Sequence, residues 1–277
     1  MSTFSLPTSS VPIDNVVEER PSLKLMHNIK GIIFDFDGTL FDNAYFAFFL
    51  IAANPLHALR VWKERLVRKR FAGRDFATPE AYYNAFFIAM RKMCFSHPSR
   101  MRNWYFNRYM PRMVRVLKKH YQFRPGVQEL FRRFDFAAIT DPSSNFPRTA
   151  VYSDYPFLKE RMEAMGLRPG PGVSLYSPES FGAQKPAPRP FRQIAANMGV
   201  APEEVLVIGD REETDGLGAF NAGMRFFCLE TGRRRYFRLD PYRRRMKEEP
   251  RGPMLVMYAG IWDDLITLLV GNYPREI

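Results

Sequence analysis

Cysteine is nearly absent from this chain: there are two in 277 residues, Cys94 and Cys228. They lie far apart and in no metal-ligand spacing, so a disulfide framework is not expected and a reducing, cytoplasmic setting fits. Histidine is scarce too. The four, at positions 27, 57, 97 and 120, include no pair four residues apart, which argues against a histidine metal site. A long apolar run is also missing. The longest uncharged stretch, 43–59, has 17 residues and is broken by Asn54-Pro55, whereas a membrane-spanning helix needs about 20 apolar residues. Residues 1–30 lack the charged start and apolar core of a secretory signal. Rich in Ser, Thr, Pro and acidic residues, they read as a flexible tail over 1–28.

What the chain does have is apolar content and positive charge. Hydrophobic residues make up 46%, enough for a packed core, and the formal net charge is +12. A basic surface favours anionic partners: nucleic acid, acidic lipid headgroups or phosphorylated metabolites.

Short apolar runs alternate with helical patterns. Gly31-Ile32-Ile33-Phe34 reads as a buried strand ending at Asp35. Residues 41–121 read as helical throughout. Thr78-Pro79-Glu80 is a helix start, with Tyr82, Phe86, Met90 and Met93 on one face. Ser99 is a candidate cap for a further helix, and Pro111 bends or restarts it. A short helix is expected from Gln128 to Phe134, then a loop over 141–147 and a strand at Thr149-Ala150-Val151-Tyr152. Phe191, Ile194, Ala195 and Met198 mark a helix closed by Gly199. Val205-Leu206-Val207-Ile208 is a third strand and 224–229 a fourth, with a helix from Asp215 to Ala222 between them. Arg233 to Arg251 reads as an exposed basic excursion. Trp262, Leu265, Ile266 and Leu269 form a C-terminal amphipathic helix. Strands alternating with helices predict an α/β domain on a parallel sheet.

Chemistry concentrates at the strand ends. Asp35-Phe36-Asp37-Gly38-Thr39 places two carboxylates just after a buried strand, where open α/β sheets form their sites. One carboxylate can attack phosphorus while the other protonates the leaving oxygen and later deprotonates water. Gly38 permits the close turn and Thr39 can start the next helix. Asp210 follows another strand, with Asp215 five residues on. Acids from two strand ends make an oxygen-rich site suited to Mg2+.

These elements resemble the haloacid dehalogenase superfamily of aspartate-nucleophile phosphatases. The first family motif, Asp-x-Asp-x-Thr, is matched at Asp35 to Thr39. The second, a Ser or Thr at a strand end, is matched by Ser153. The third, a Lys often followed by Pro, is matched by Lys185-Pro186. The fourth, Gly-Asp with a later Asp, is matched by Gly209-Asp210 and Asp215. Thr140 and Ser143 compete for the second motif, because Ala137-Ala138-Ile139-Thr140 is also strand-like and the stretch 125–153 is about eight residues longer than the family pattern. Ser153 is preferred for its better strand end. Asp154 beside it would repel a phosphate unless it contacts a substrate hydroxyl or amine, or faces away.

The resemblance implies a Rossmann-like parallel-sheet core, residues 29–41 with 123–277, and an inserted α-helical cap, residues 42–122. It implies that Asp35 forms an aspartyl-phosphate and that Asp37 is the general acid/base, a group family dehalogenases lack. Ser153 and Lys185 would hold phosphoryl oxygens. Mg2+ would sit on Asp35, the backbone carbonyl of Asp37, Asp210 and Asp215. The expected activity is Mg2+-dependent hydrolysis of a small phosphorylated substrate, with lipid phosphates and polyanions included. A phosphomutase or phosphotransferase on the same chemistry is the alternative, followed by a non-catalytic nucleic-acid- or lipid-binding protein. A nucleic-acid partner is not favoured. A peripheral membrane contact is suggested by Tyr45, Phe46, Phe48, Phe49, Leu50 and Ile51 next to the basic residues from Arg60 to Arg74, but packing inside the cap is the preferred reading of those apolar side chains.

Overall fold

The computed structural model describes residues 28–94, 96–140, 147–231 and 257–272. Six strands form one wholly parallel sheet: β1 (Gly31–Asp35), β2 (Arg148–Tyr152), β3 (Val173–Tyr176), β4 (Val205–Gly209), β5 (Arg225–Leu229) and β6 (Met257–Gly260). Their spatial order is β3-β2-β1-β4-β5-β6. The direction of winding reverses beside β1, and the sheet is flanked on both faces. Ile32 and Phe34 of β1 join one core cluster with Val151, Leu206 and Ile208, packed under α6 (Val127–Thr140), α7 (Leu158–Ala164) and α11 (Trp262–Asn272). Ile33 points the other way, with Val205 and Val207, toward α8 (Pro178–Phe181), α9 (Pro188–Met198) and α10 (Leu217–Ala222). Full burial on both faces is why these strands read as unbroken apolar runs.

The chain between β1 and α6 is helical: α1 (Phe46–Ala52), α2 (Ala58–Phe71), α3 (Pro79–Cys94), α4 (Pro98–Trp104) and α5 (Met110–His120), the last two joined by a π-helical turn, Tyr105–Tyr109. The expected start at Thr78 holds, its hydroxyl accepting from the Ala81 N–H at 3.2 Å. The cap of α4 is His97 rather than Ser99: Pro98 occupies the first turn, so the capping group falls one residue before it and accepts from the Ser99 N–H. Phe46 and Leu50 pack inward as expected, while Tyr45 and Phe48 are exposed. Among the described residues no helix is long and apolar enough to cross a membrane.

Three further readings are corrected. Ala137 to Thr140 is not strand-like; it completes α6, whose apolar residues Leu130, Phe131, Phe134 and Ala137 keep a helical spacing to its end. Strands β3 and β6 were not anticipated, since both are four-residue edge strands that carry little periodic signal. The helix expected from Asp215 opens instead with a π-helical turn, Glu212–Gly216. The N-terminal tail up to residue 27, Ser143 and the stretch Arg233 to Arg251 lie outside the described residues.

Candidate active site

The site forms at the carboxyl ends of β1 and β4, beside the reversal of strand order where open sheets leave a crevice. Asp35 ends β1. Lys185 Nζ donates to Asp35 Oδ1 at 2.6 Å and to Asp215 Oδ1 at 2.7 Å, and the Thr39 hydroxyl donates to Asp35 Oδ2 at 3.0 Å. Thr39 therefore anchors the carboxylate and caps no helix. The segment after it forms a parallel bridge between Asp37 and Phe41, and helix begins only at Phe46. Gly38 adopts φ 97°, and a Cβ there would come within 2.5 Å of Asp210 Oδ2, so the turn needs glycine both for its backbone and for the approach of that carboxylate.

Asp35, Asp210 and Asp215 are buried, each with a carboxylate oxygen within 4.8 Å of the others. Burial pushes the Asp35 carboxyl up from 3.8 to about 7; Lys185 opposes this while the charges of Asp215 and Asp37 add to it. Burial likewise raises Asp215. Burial would lower Lys185, but Asp215, Asp35 and Asp154 outweigh it and hold the ammonium above the ordinary lysine value. Lys185 pairs with two of the three carboxylates, and an all-oxygen donor set suits a hard divalent cation such as Mg2+.

Asp37 is placed differently. Its carboxylate turns from this cluster to Ser153, whose Oγ donates to Asp37 Oδ2 at 2.9 Å, and to Arg161, which forms an ion pair with Oδ1. Arg161, fully buried on α7, also donates to Ser153 Oγ at 2.9 Å and lies over the Phe36 ring. Both carboxylate oxygens of Asp37 are thus engaged, and Asp37 is not part of the Asp35, Asp210 and Asp215 cluster. Ser153 stands directly after β2, next to β1, whereas Thr140 is the last residue of α6. Asp154 lines the same cavity, and its Oδ1 accepts from the Lys185 backbone N–H at 3.0 Å.

The inserted helices roof this floor, leaving a cavity of about 380 Å³. Trp62, Arg65, Leu66 and Lys69 of α2 line it, at a spacing that sets them on one helix face. Arg68, buried and paired with Glu64 at 2.6 Å, donates to the Asp154 carbonyl at 2.6 Å and stacks on Tyr155 at 3.9 Å. The α2–α3 connection is stitched to the segment that carries Lys185. Gly73 N–H donates to Lys185 O, Gln184 N–H to Arg74 O and Phe76 N–H to Gly182 O, and Arg189 clamps Asp75 through two bonds of 2.6 and 2.7 Å.

A family model for haloacid dehalogenase-like hydrolases matches residues 29–223, more than half of the chain. The chain belongs to that family. Its relatives include a phosphoserine phosphatase of Thermus thermophilus, 38% identical over 76 residues, and a glyceraldehyde 3-phosphate phosphatase of Methanopyrus kandleri, 46% identical over 46 residues. Those matches cover 27% and 17% of this chain and only 30% and 20% of the relatives' own length. Solved structures similar over most of the chain include a 2-haloacid dehalogenase from Pseudomonas syringae pv. Tomato, with TM-score 0.52, 17% identity and coverage of 89% of this chain and 100% of that one. A predicted phosphoglycolate phosphatase from Haemophilus somnus gives TM-score 0.52, 20% identity and coverage of 88% and 98%. At these identities the likeness is one of fold.

Within this haloacid dehalogenase-like hydrolase, the six expected residues Asp35, Asp37, Ser153, Lys185, Asp210 and Asp215 converge on one crevice. Sequence reasoning missed Arg161 and Arg124, the latter donating to the carbonyls of Thr39 and Gly38 at 2.9 and 3.1 Å. Neither lies in a motif, and their partners are 124 and about 85 positions away.

Proposed function

We propose that the protein is a Mg2+-dependent phosphomonoester hydrolase that works through an aspartyl-phosphate, with residues 42–122 as a cap over a core of 29–41 and 123–277. The observation that carries this reading is the pair of carboxylates at the end of β1, held in two different environments: Asp35 among Lys185, Asp215 and Asp210, Asp37 on Ser153 and Arg161. A carboxylate fixed by Lys185 and Thr39 is oriented as a nucleophile. In the first step an Asp35 oxygen bonds to phosphorus as the bond to the leaving oxygen breaks, and that oxygen takes its proton from Asp37. In the second, Asp37 takes a proton from water, whose oxygen bonds to phosphorus and returns Asp35 as a carboxylate with release of phosphate.

Asp35, Asp210, Asp215 and the backbone carbonyl of Asp37 would hold Mg2+, which supplies charge neutralisation between the anionic nucleophile and the anionic phosphate. Lys185 reaches the transferring oxygens from the Asp35 side. The Ser153 hydroxyl reaches them by rotating its proton away from Asp37. The presence of Asp37 disfavours carbon–halogen chemistry, which needs no acid at that position.

Asp35→Asn is expected to abolish hydrolysis of an aryl phosphate while circular dichroism stays unchanged. Wild-type turnover in that variant would sink the mechanism. Transfer to a sugar hydroxyl would use the same groups, and product analysis with a hydroxyl acceptor present separates it from hydrolysis.

A further inference from the structure

The net charge of this protein is not spread over it. Residues 42–122 hold 16 of the 41 Lys and Arg and 4 of the 29 Asp and Glu, which leaves 25 of each sign elsewhere. The helical insertion therefore carries the whole excess of twelve, and the rest of the chain is formally neutral. Two of its four acids are already used: Glu64 pairs with Arg68, and Asp75 with Arg189 of the core.

The same insertion exposes apolar side chains. Tyr45, Phe48, Leu56, Leu59 and Trp62 are all more than half exposed, with Leu56 at 92%. Between α1 and α5 lies a second cavity, of about 310 Å³, away from the catalytic residues. Phe49, next to Phe48, forms part of its floor and stacks on His120 at 4.1 Å. Its rim is Arg112, Arg115 and Lys119, set along one side of α5, and no acidic residue lines it. Arg112 is held in place by Asn54 Oδ1 at 2.9 Å, and the buried Asn54 lies two residues before Leu56. Cationic rim and apolar edge are thus parts of one structure.

We infer that this edge of the insertion docks on an anionic lipid bilayer, with Phe48, Leu56 and Leu59 entering the interface and the α5 cations meeting lipid phosphates and carboxylates. A bilayer surface takes both kinds of group at once: apolar side chains at the acyl boundary and Lys or Arg among the headgroups. A nucleic-acid surface would use the cations and leave Leu56 and Leu59 without a partner. Leu59 and Trp62 are three residues apart on α2, and Trp62 lines the catalytic cavity, so the docking edge leads to the mouth of that cavity. The inference does not depend on the proposed reaction.

The test is co-sedimentation of the full chain with phosphatidylcholine vesicles, with and without phosphatidylserine, at physiological salt. Two variants are compared with wild type: Phe48→Ser/Leu56→Ser/Leu59→Ser and Arg115→Gln/Lys118→Gln/Lys119→Gln. All six positions are exposed and lie outside the catalytic cavity, so aryl phosphate turnover and the circular dichroism spectrum serve as controls for folding. Wild type is expected to sediment with the serine-containing vesicles only. Each cation near the surface contributes about fivefold, so the charge variant should bind roughly a hundredfold more weakly. The apolar variant should lose sedimentation as well. Absence of wild-type binding, full retention by the apolar variant, or binding of a random-sequence RNA in place of vesicles would each overturn the proposal.

Discussion

Arg161 shows how much of the site depends on a side chain that no motif contains. Its guanidinium is fully buried, spans Asp37 and Ser153, and rests on Phe36. Asp37 is 20% exposed, so without this partner its carboxylate is free to turn toward solvent. Arg161 is therefore read as a positioning residue. Misplacement of a reacting group by about 1 Å can cost 10²-fold, so Arg161→Leu should lower kcat roughly 10²-fold with KM for an aryl phosphate little changed. Arg161→Lys should recover part of the loss, because an ammonium reaches Asp37 but cannot fork to Ser153 as well. Wild-type kcat in a folded Arg161→Leu protein would remove the residue from the argument. The sequence could not reveal this. A single Arg in the polar heptapeptide Leu158–Ala164 looks like a solvated helix face, and only the fold brings it to Asp37.

Secondary elements were legible in proportion to their burial. Strands β1, β2, β4 and β5 are sandwiched between helices, and their apolar runs announce them. Edge strands β3 and β6 are short and lie at the two rims, so their residues need not be apolar. Three of the four motifs were legible because each stands at the end of a buried strand, and the third was legible by its Lys185-Pro186 pair. The stitch between the α2–α3 connection and the Lys185 segment was not, since apart from the Arg189–Asp75 pair it is made by backbone groups. At Gly182 the chain adopts φ 65°, and a Cβ would come within 2.0 Å of the Thr78 backbone. Gly182→Ala should therefore push the connection off the Lys185 segment. Overpacking of this kind costs about 1–3 kcal/mol, readable as a lower urea midpoint at unchanged slope. Turnover should fall with it, as Gly182 lies three residues before Lys185. A variant with wild-type stability and activity would show that the stitch does not hold the site.

At the scale of the molecule, the carboxylate cluster sets local stability against function. Asp35 and Asp215 come from different segments and meet Asp210 in a buried crevice, where burial raises both carboxyls. For Asp35 the value moves from 3.8 to about 7, so between these limits the folded chain holds a proton that the unfolded chain has released. Stability should then fall as pH rises through that window in metal-free protein, because folding has to work against ionisation of a buried acid. Bound Mg2+ should cancel this by favouring the ionised cluster. Thermal unfolding in chelator and in excess Mg2+ across pH 4–7 separates the two states. The Mg2+-dependent gain should grow with pH, reaching roughly 5–10 °C when the ion is at about a hundred times its dissociation constant. Asp210→Asn makes the comparison decisive. It removes one carboxylate from the cluster, so the variant should gain little from Mg2+ and turn over slowly. A variant that gains as much from Mg2+ as wild type would place the ion elsewhere.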